Sequence, residues 1–104
     1  MSAADGSSPI QSRDGALDAL ARCRQQIEGI DRELVGLLAK LVAVSKEIGA
    51  MKKVAGLPTL DPAREAEVIR RAAALAREVG VSDEKVRDIF WHVIGLSRAV
   101  QVGE

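Results

Sequence analysis

The sequence predicts an all-α fold of three helices per chain, in which a very long first helix interlocks with a second copy. Apolar residues recur at heptad spacing over residues 20–51, which indicates a sustained coiled-coil helix. Two later segments begin with N-cap signals and carry apolar faces, which is typical of shorter amphipathic helices. No stretch of useful length alternates apolar and polar residues as a strand would.

The first predicted helix runs from near Asp14 to near Val54. One apolar series repeats every seventh residue and a second lies three positions on: Leu20, Ile27, Leu34, Leu41 and Ile48, then Cys23, Ile30, Leu37, Val44 and Met51. Such a helix is about 60 Å long, whereas a compact chain of this size has a radius of gyration of about 13 Å. We therefore expect a second copy to cover the apolar seam, most simply in a two-fold dimer.

Two shorter helices follow, each with recognisable ends. Asp61 is an N-cap followed by proline at the first helical position, and Gly80 ends this second helix. Ser82 caps the third helix, whose first turn holds two acids that complement the helix dipole and which runs to about Val102. The third helix has a broad apolar face that can pack on the first, formed by Val86, Ile89, Phe90, Val93, Ile94 and Leu96.

Composition excludes several classes of function. The 104 residues include 15 Lys and Arg against 15 Asp and Glu, with one Cys and one His. Balanced charge argues against nucleic acid or membrane as a partner, and one Cys with one His cannot form a Cys/His zinc site. No apolar run is long enough for a membrane span, and the N-terminal segment lacks the basic start and apolar centre expected of a signal peptide. We expect a cytoplasmic helical domain over residues 14–104, without metal or cofactor, after a disordered tail over residues 1–13.

Polar residues on otherwise apolar faces are candidate site positions. On the first helix Lys52 flanks the apolar stripe and Arg24 lies near the other end, although each also suits a solvated surface. Arg64 lies in the first turn of the second helix, where the dipole disfavours a cation by up to about 1 kcal/mol. Either a bound carboxylate or a neighbouring acid would offset that cost. Ser97 and Gln101, four residues apart, can serve one pocket or form a polar edge.

Four segments of the chain are informative together: RQQIEGIDRELVGLL, KEIGAMK, GLPTLDPAREAEVI and IFWHVIGLSRAVQ. In this order, and with no gap needed, they resemble the all-helical type II chorismate mutase family over about residues 20–102. The resemblance implies an intertwined homodimer that rearranges chorismate to prephenate in aromatic amino acid biosynthesis. That intramolecular reaction needs no nucleophile, proton transfer, metal or cofactor, but it does need orientation and stabilised charge on the ether oxygen.

The resemblance implies a role for each matching residue. Lys52 resembles the lysine that contacts a substrate carboxylate and the breaking ether oxygen, and Gln101 the glutamine that hydrogen-bonds this oxygen. Arg24 resembles the arginine that reaches into the other chain's site to bind a carboxylate. Arg64 matches the second-helix arginine, and Glu65 the glutamate that accepts from the ring hydroxyl. Two peripheral polar positions and one apolar wall position of the family's pocket are matched by Asp61, Ser97 and Ile48.

Leu41 is the departure, because the family usually has an arginine there that binds a substrate carboxylate. Lys40 is not expected to replace it, since adjacent helical positions point about 100° apart. Losing one such contact forfeits about 2 to 4 kcal/mol of transition-state stabilisation. Three hypotheses stay open: a chorismate mutase; a related mutase or lyase acting on isochorismate or 4-amino-4-deoxychorismate; and a weakly active regulatory module that binds a shikimate-pathway enzyme.

Overall fold

The computed structural model describes residues 12–103, and these form three α-helices without a strand. Helix α1 spans Arg13–Ala55, α2 spans Pro62–Glu78 and α3 spans Asp83–Gln101. The predicted all-α class and all three predicted helices are confirmed, with ends close to those expected. Residues 1–11 of the predicted tail lie outside the described residues, so the tail stays a prediction, and Arg13 already belongs to α1.

Local hydrogen bonds explain where α1 begins and ends. The Ser12 hydroxyl accepts from the Gly15 backbone N–H at 2.9 Å, which satisfies one of the free donors of the first turn. At the other end Gly56 has a φ of 70°, and the Leu57 N–H donates to the Lys52 carbonyl at 2.8 Å. This C-terminal motif requires the left-handed backbone that glycine adopts without a Cβ clash.

The predicted caps of α2 and α3 are also present. The Asp61 carboxylate accepts from the Arg64 N–H at 3.2 Å, and the Ser82 hydroxyl accepts from the Lys85 N–H at 3.2 Å. Gly80, with a φ of 77°, provides the left-handed residue that ends α2. The Asp61 cap sets the start of α2. Only a short connection joins α2 to α3, because α2 ends at Glu78 and α3 begins at Asp83. Within residues 12–103, none of the helices is both long enough and apolar enough to cross a lipid bilayer.

The chain divides into two units, with the boundary between Leu37 and Leu38. In the first unit, the N-terminal part of α1 leaves its heptad residues exposed, including Ile27 at 56%, Leu34 at 54% and Leu37 at 59%. Burying such side chains stabilises a protein by about 1.5 to 3 kcal/mol each. This exposed heptad stripe is the feature that the sequence predicts will be covered by a second copy.

In the second unit, which begins at Leu38, α2 packs against α3. The buried face of α2 consists of three alanines at positions 72, 73 and 76, and the buried apolar residue of α3 is Ile94. Small side chains let helix backbones approach closely, because interaxial distance depends on the residues at the contact. The start of α2, the end of α3 and the C-terminal part of α1 together line a cavity.

Candidate active site

A cavity of about 680 Å³ lies in the second unit. It is lined by α1 from Lys40 onward, by the start of α2, and by α3. Its wall is largely apolar, with a polar group of side chains at one side, which is the usual character of a small-molecule site. Of the nine site residues predicted from the sequence, eight line this cavity: Leu41, Ile48, Lys52, Asp61, Arg64, Glu65, Ser97 and Gln101.

Arg24 is the ninth predicted site residue. It lies in the first unit on the N-terminal part of α1, where its side chain is exposed. The lining of the cavity comes entirely from residues 40–101, so Arg24 is not part of it. Its predicted role, in the site of a second chain, requires a dimer and stays a prediction.

A chain of hydrogen bonds crosses the polar side of the cavity from α1 to α3. The Lys52 Nζ donates to Gln101 Oε1 at 2.7 Å and to the Thr59 carbonyl at 2.7 Å. The Gln101 Nε2 donates to Ser97 Oγ at 3.2 Å, and Ser97 Oγ lies 2.6 Å from Ser45 Oγ. The Gln101 amide is therefore oriented with its oxygen toward the ammonium group and its nitrogen toward the hydroxyls.

This orientation leaves two strong donors for a ligand. An ammonium group has three N–H donors, of which Lys52 uses two on the Thr59 carbonyl and the Gln101 oxygen. An amide nitrogen has two, of which Gln101 uses one on Ser97. The third Lys52 donor and the second Gln101 donor bond to no residue that the structure describes. Two such donors on adjacent groups suit an oxygen atom that gains negative charge.

Ser45 is a residue of this site that the nine predicted positions do not include. It is 2% exposed, and its hydroxyl bonds to Ser97 at 2.6 Å. Because a buried hydroxyl without a partner is costly, the Ser45–Ser97 pair stabilises the interior as well as the orientation of Gln101. The available signal was that Ser45 and Lys52 lie seven residues apart, and thus on one face of the same helix.

Arg98 is a second residue of this site outside the nine predicted positions. Its Nε donates to Glu65 Oε2 at 3.0 Å and its Nη2 to Glu65 Oε1 at 2.7 Å, a bidentate bridge from α3 to α2. The Glu65 carboxylate raises the pKa of the Arg98 guanidinium above its ordinary value, first through these hydrogen bonds and then through its charge. Arg98 lies four residues after Ile94 and three before Gln101, so the helical stripe through these residues was the signal.

Arg64 lines the cavity from the first turn of α2, and its guanidinium pairs with Glu67. A neighbouring acid thus offsets the unfavourable dipole, which was one of the two predicted explanations. Both side chains are more than half exposed, and such pairs contribute only about 0.2 to 1 kcal/mol. The guanidinium therefore remains able to exchange Glu67 for an anion in the cavity.

Lys40 lines the cavity together with Leu41, although adjacent helical positions point about 100° apart. The reason is that the lining face of α1 is wider than one heptad position. Residues 40, 44, 48 and 52 form an i, i+4 row in which each step turns by only about 40°, and all four line the cavity. Lys40 forms no hydrogen bond or ion pair with any residue in the described range.

The charges around the cavity favour an anionic ligand. Its lining holds four cationic side chains, Lys40, Lys52, Arg64 and Arg98, against the carboxylates of Asp61 and Glu65, a surplus of two positive charges. The lining contains no His or Cys. The arrangement can therefore hold a doubly negative molecule and stabilise charge on one of its oxygens.

The chain is similar to known proteins over most of its length. The family description "Chorismate mutase type II" matches residues 23–102. The chain is 32% identical over 74 residues to the T-protein of Haemophilus influenzae, which covers 71% of this chain and 20% of that protein. It is 36% identical over 93 residues to the 3-dehydroquinate dehydratase of Pyrobaculum aerophilum, covering 89% of this chain and 26% of that protein.

A third relative is of similar size. The chain is 29% identical over 85 residues to the chorismate mutase of Methanocaldococcus jannaschii, covering 82% of this chain and 86% of that protein. It spans only 20% and 26% of the first two relatives, so the match there is to one part of a longer protein. The family match covers most of the chain, including all three helices in part or whole. The chain belongs to the type II chorismate mutase family.

Proposed function

We propose that this chain is a chorismate mutase, an isomerase that converts chorismate to prephenate in aromatic amino acid biosynthesis. The observation that carries the proposal is the 2.7 Å hydrogen bond between Lys52 Nζ and Gln101 Oε1 in a cavity with surplus positive charge. This hydrogen bond places the Lys52 ammonium and the Gln101 amide side by side, each with an unused N–H donor. Membership of the type II family supports the same activity.

The reaction breaks one C–O bond and forms one C–C bond within the same molecule, so the site must fold the substrate and stabilise charge. Arg64, with Arg24 from a second chain, binds the two carboxylates and holds the reacting ends together. Lys52 and Gln101 donate to the ether oxygen as negative charge develops there. Removing one preorganised donor of this kind costs about 100-fold to 1,000-fold in kcat. Glu65 accepts a hydrogen bond from the ring hydroxyl.

The proposed enzyme is a homodimer. The heptad stripe of α1 exposes apolar side chains such as Ile30 at 49% and Leu37 at 59%, and a second copy of the same stripe would cover them. Arg24 lies on this same part of α1, so pairing of two α1 helices is the means by which it would reach a second site. We also propose that the protein acts in the cytoplasm, where its single Cys23 would stay reduced.

Leu41 favours a second candidate, a related mutase or lyase acting on isochorismate or 4-amino-4-deoxychorismate. An apolar residue there leaves part of the cavity without the cation that the family usually supplies, and this alters carboxylate recognition. The lengths of the relatives favour a third, a weakly active module that works with another shikimate-pathway enzyme. The T-protein and the dehydratase match this chain over only 20% and 26% of their lengths.

The test is the loss of chorismate absorbance with the purified full chain, alone and with each analogue as a competing substrate. We expect turnover with chorismate to have the highest kcat/KM, and Lys52→Ala and Gln101→Ala each to reduce kcat at least about 100-fold. Lys53→Ala is the matched control, because Lys53 is exposed, lies outside the cavity lining and should leave kcat unchanged. No turnover at high enzyme concentration would refute the proposal, and a better analogue would favour the second candidate.

A further inference from the structure

We propose that Arg98 is a positioning residue that acts through Glu65, holding its carboxylate in one orientation and cancelling its charge so that a dianion can bind beside it. This inference rests on the proposed function. Of the two carboxylates in the cavity lining, Glu65 is the more buried. Its side chain is only 19% exposed, whereas Asp61 is an exposed residue. A bare carboxylate at that position would repel a doubly negative substrate.

The geometry of the pair supports the orienting role. Two parallel N–H···O bonds, of 3.0 and 2.7 Å, join one edge of the guanidinium to both oxygens of Glu65. A bidentate contact of this kind fixes the plane of the carboxylate, whereas a single contact leaves it free to rotate. Each carboxylate oxygen keeps a second acceptor site, so Glu65 can still accept a hydrogen bond from a ligand hydroxyl.

Both residues of the Arg98–Glu65 pair belong to the cavity. Glu65 lies in the first turn of α2 and Arg98 in the last turn of α3, and both side chains line the cavity. Arg64, directly beside Glu65 in sequence, pairs with Glu67 and forms no ion pair with Glu65. Among the described residues, the compensation of the Glu65 charge by direct contact therefore depends on Arg98 alone.

None of the other three cations in the lining pairs with Glu65 among the described residues. Lys52 donates to Gln101 and Thr59, Arg64 pairs with Glu67, and Lys40 forms no ion pair in the described range. Without Arg98, the surplus of positive charge in the lining falls from two to one. Loss of Arg98 therefore weakens binding of a dianion in two ways. The net positive charge of the lining falls, and the Glu65 carboxylate is left without a counter-ion.

The experiment is a rescue test with Arg98→Gln, Glu65→Gln and the double variant. We expect Arg98→Gln to raise KM for chorismate about tenfold, with a smaller fall in kcat, because the bare carboxylate repels the substrate before reaction. Adding Glu65→Gln removes that carboxylate, so KM of the double variant should fall at least about threefold below that of Arg98→Gln, while kcat stays below the wild-type value because the Glu65 acceptor is lost. Arg98→Lys keeps the charge and should hold KM near the wild-type value while kcat falls, since the bidentate geometry is lost.

Direct contact between Arg98 and the substrate predicts the opposite result, a double variant with KM at least as high as that of Arg98→Gln. That result would overturn the inference, as would a loss of folded structure that explains the change in KM. Arg87→Gln is the matched control on α3, because Arg87 is half exposed and pairs only loosely with Asp83 at 3.8 Å. Wild-type turnover is measured first: its absence would refute the proposed function, whereas a failed rescue with an active wild type refutes only the role of Arg98.

Discussion

Gly49 on α1 faces the backbone of Gln101 on α3 so closely that a β-carbon at position 49 would lie 2.6 Å from the Gln101 carbonyl oxygen. No real β-carbon tolerates that distance, so a side chain there would force the helices apart. The close approach brings the C-terminal part of α1 against the end of α3, where Lys52 and Gln101 are hydrogen-bonded at 2.7 Å. Gly49 therefore sets the geometry of the two proposed ether-oxygen donors.

We expect Gly49→Ala to lower kcat more than tenfold and to destabilise the fold by about 1 to 3 kcal/mol, because the overpacked contact is to backbone. Steady-state kinetics with chorismate and thermal unfolding measure the two effects. Gly95→Ala is the control on α3, since a β-carbon there meets nothing within 4 Å. A Gly49→Ala variant with wild-type kcat and stability would contradict this account of the helix contact.

Leu41→Arg should increase kcat/KM for chorismate by about 30-fold to 1,000-fold, because it adds a cation to the cavity where the family usually has one. The readout is the chorismate absorbance assay with wild type and variant side by side. Val42→Arg, at the next position but outside the lining, controls for added charge alone.

The absence of a gain would indicate that another cation already binds this carboxylate, and Lys40 is the candidate. In that case Lys40→Ala should raise KM several-fold in the wild-type background, since Lys40 lines the cavity and has no partner among residues 12–103. Lys46→Ala, also exposed on α1 but outside the lining, should leave KM unchanged. If neither Leu41→Arg nor Lys40→Ala alters the kinetics, this part of the cavity is not used for carboxylate binding.

Stability should depend on pH through the link between α2 and α3. The Arg77 guanidinium donates to Asp83 at 2.8 Å, and this hydrogen bond holds the pKa of Asp83 below its ordinary value of 3.8. A carboxyl group whose pKa is lower in the folded state stabilises the fold above its unfolded pKa, and that contribution is lost as pH falls through the folded pKa. Arg77→Gln should therefore lower Tm near neutral pH and have little effect well below pH 3.8.

Thermal unfolding between pH 2 and pH 7 measures this difference, and the effect should be small because both groups are partly exposed. Arg71→Gln is the control, since Arg71 is an exposed residue of α2 without an ion pair in the described part of the chain. A difference in Tm that stays constant across this pH range would show that Arg77 acts by some means other than its bond to Asp83.

Assembly should depend on the exposed heptad stripe. We expect the wild type to sediment as a dimer whose Tm rises with protein concentration, and Leu34→Glu to dissociate it, because Leu34 is 54% exposed and lies in the seam. Arg24→Ala should instead keep the dimer and reduce kcat/KM, while Arg22→Ala, its exposed neighbour, changes neither. A wild type that sediments as a folded monomer would refute the dimer and, with it, the role of Arg24.

The sequence by itself determined the three helices and their ends. Heptad spacing, the Asp61 and Ser82 caps and the Gly80 stop are local signals, because each depends on residues within a few positions along the chain. The family resemblance placed eight residues that do line one cavity. Arg24 and the dimer stay predictions, because the structure describes one chain.

Only the tertiary structure decided which polar groups meet. The Lys52–Gln101 and Arg98–Glu65 bonds join residues 49 and 33 positions apart, so no local pattern specifies them. The same is true of Gly49, whose importance comes from the backbone of another helix rather than from its own. Lys40 enters the cavity because the lining face of α1 is wider than the heptad seam, and that width depends on how α2 and α3 pack beside it.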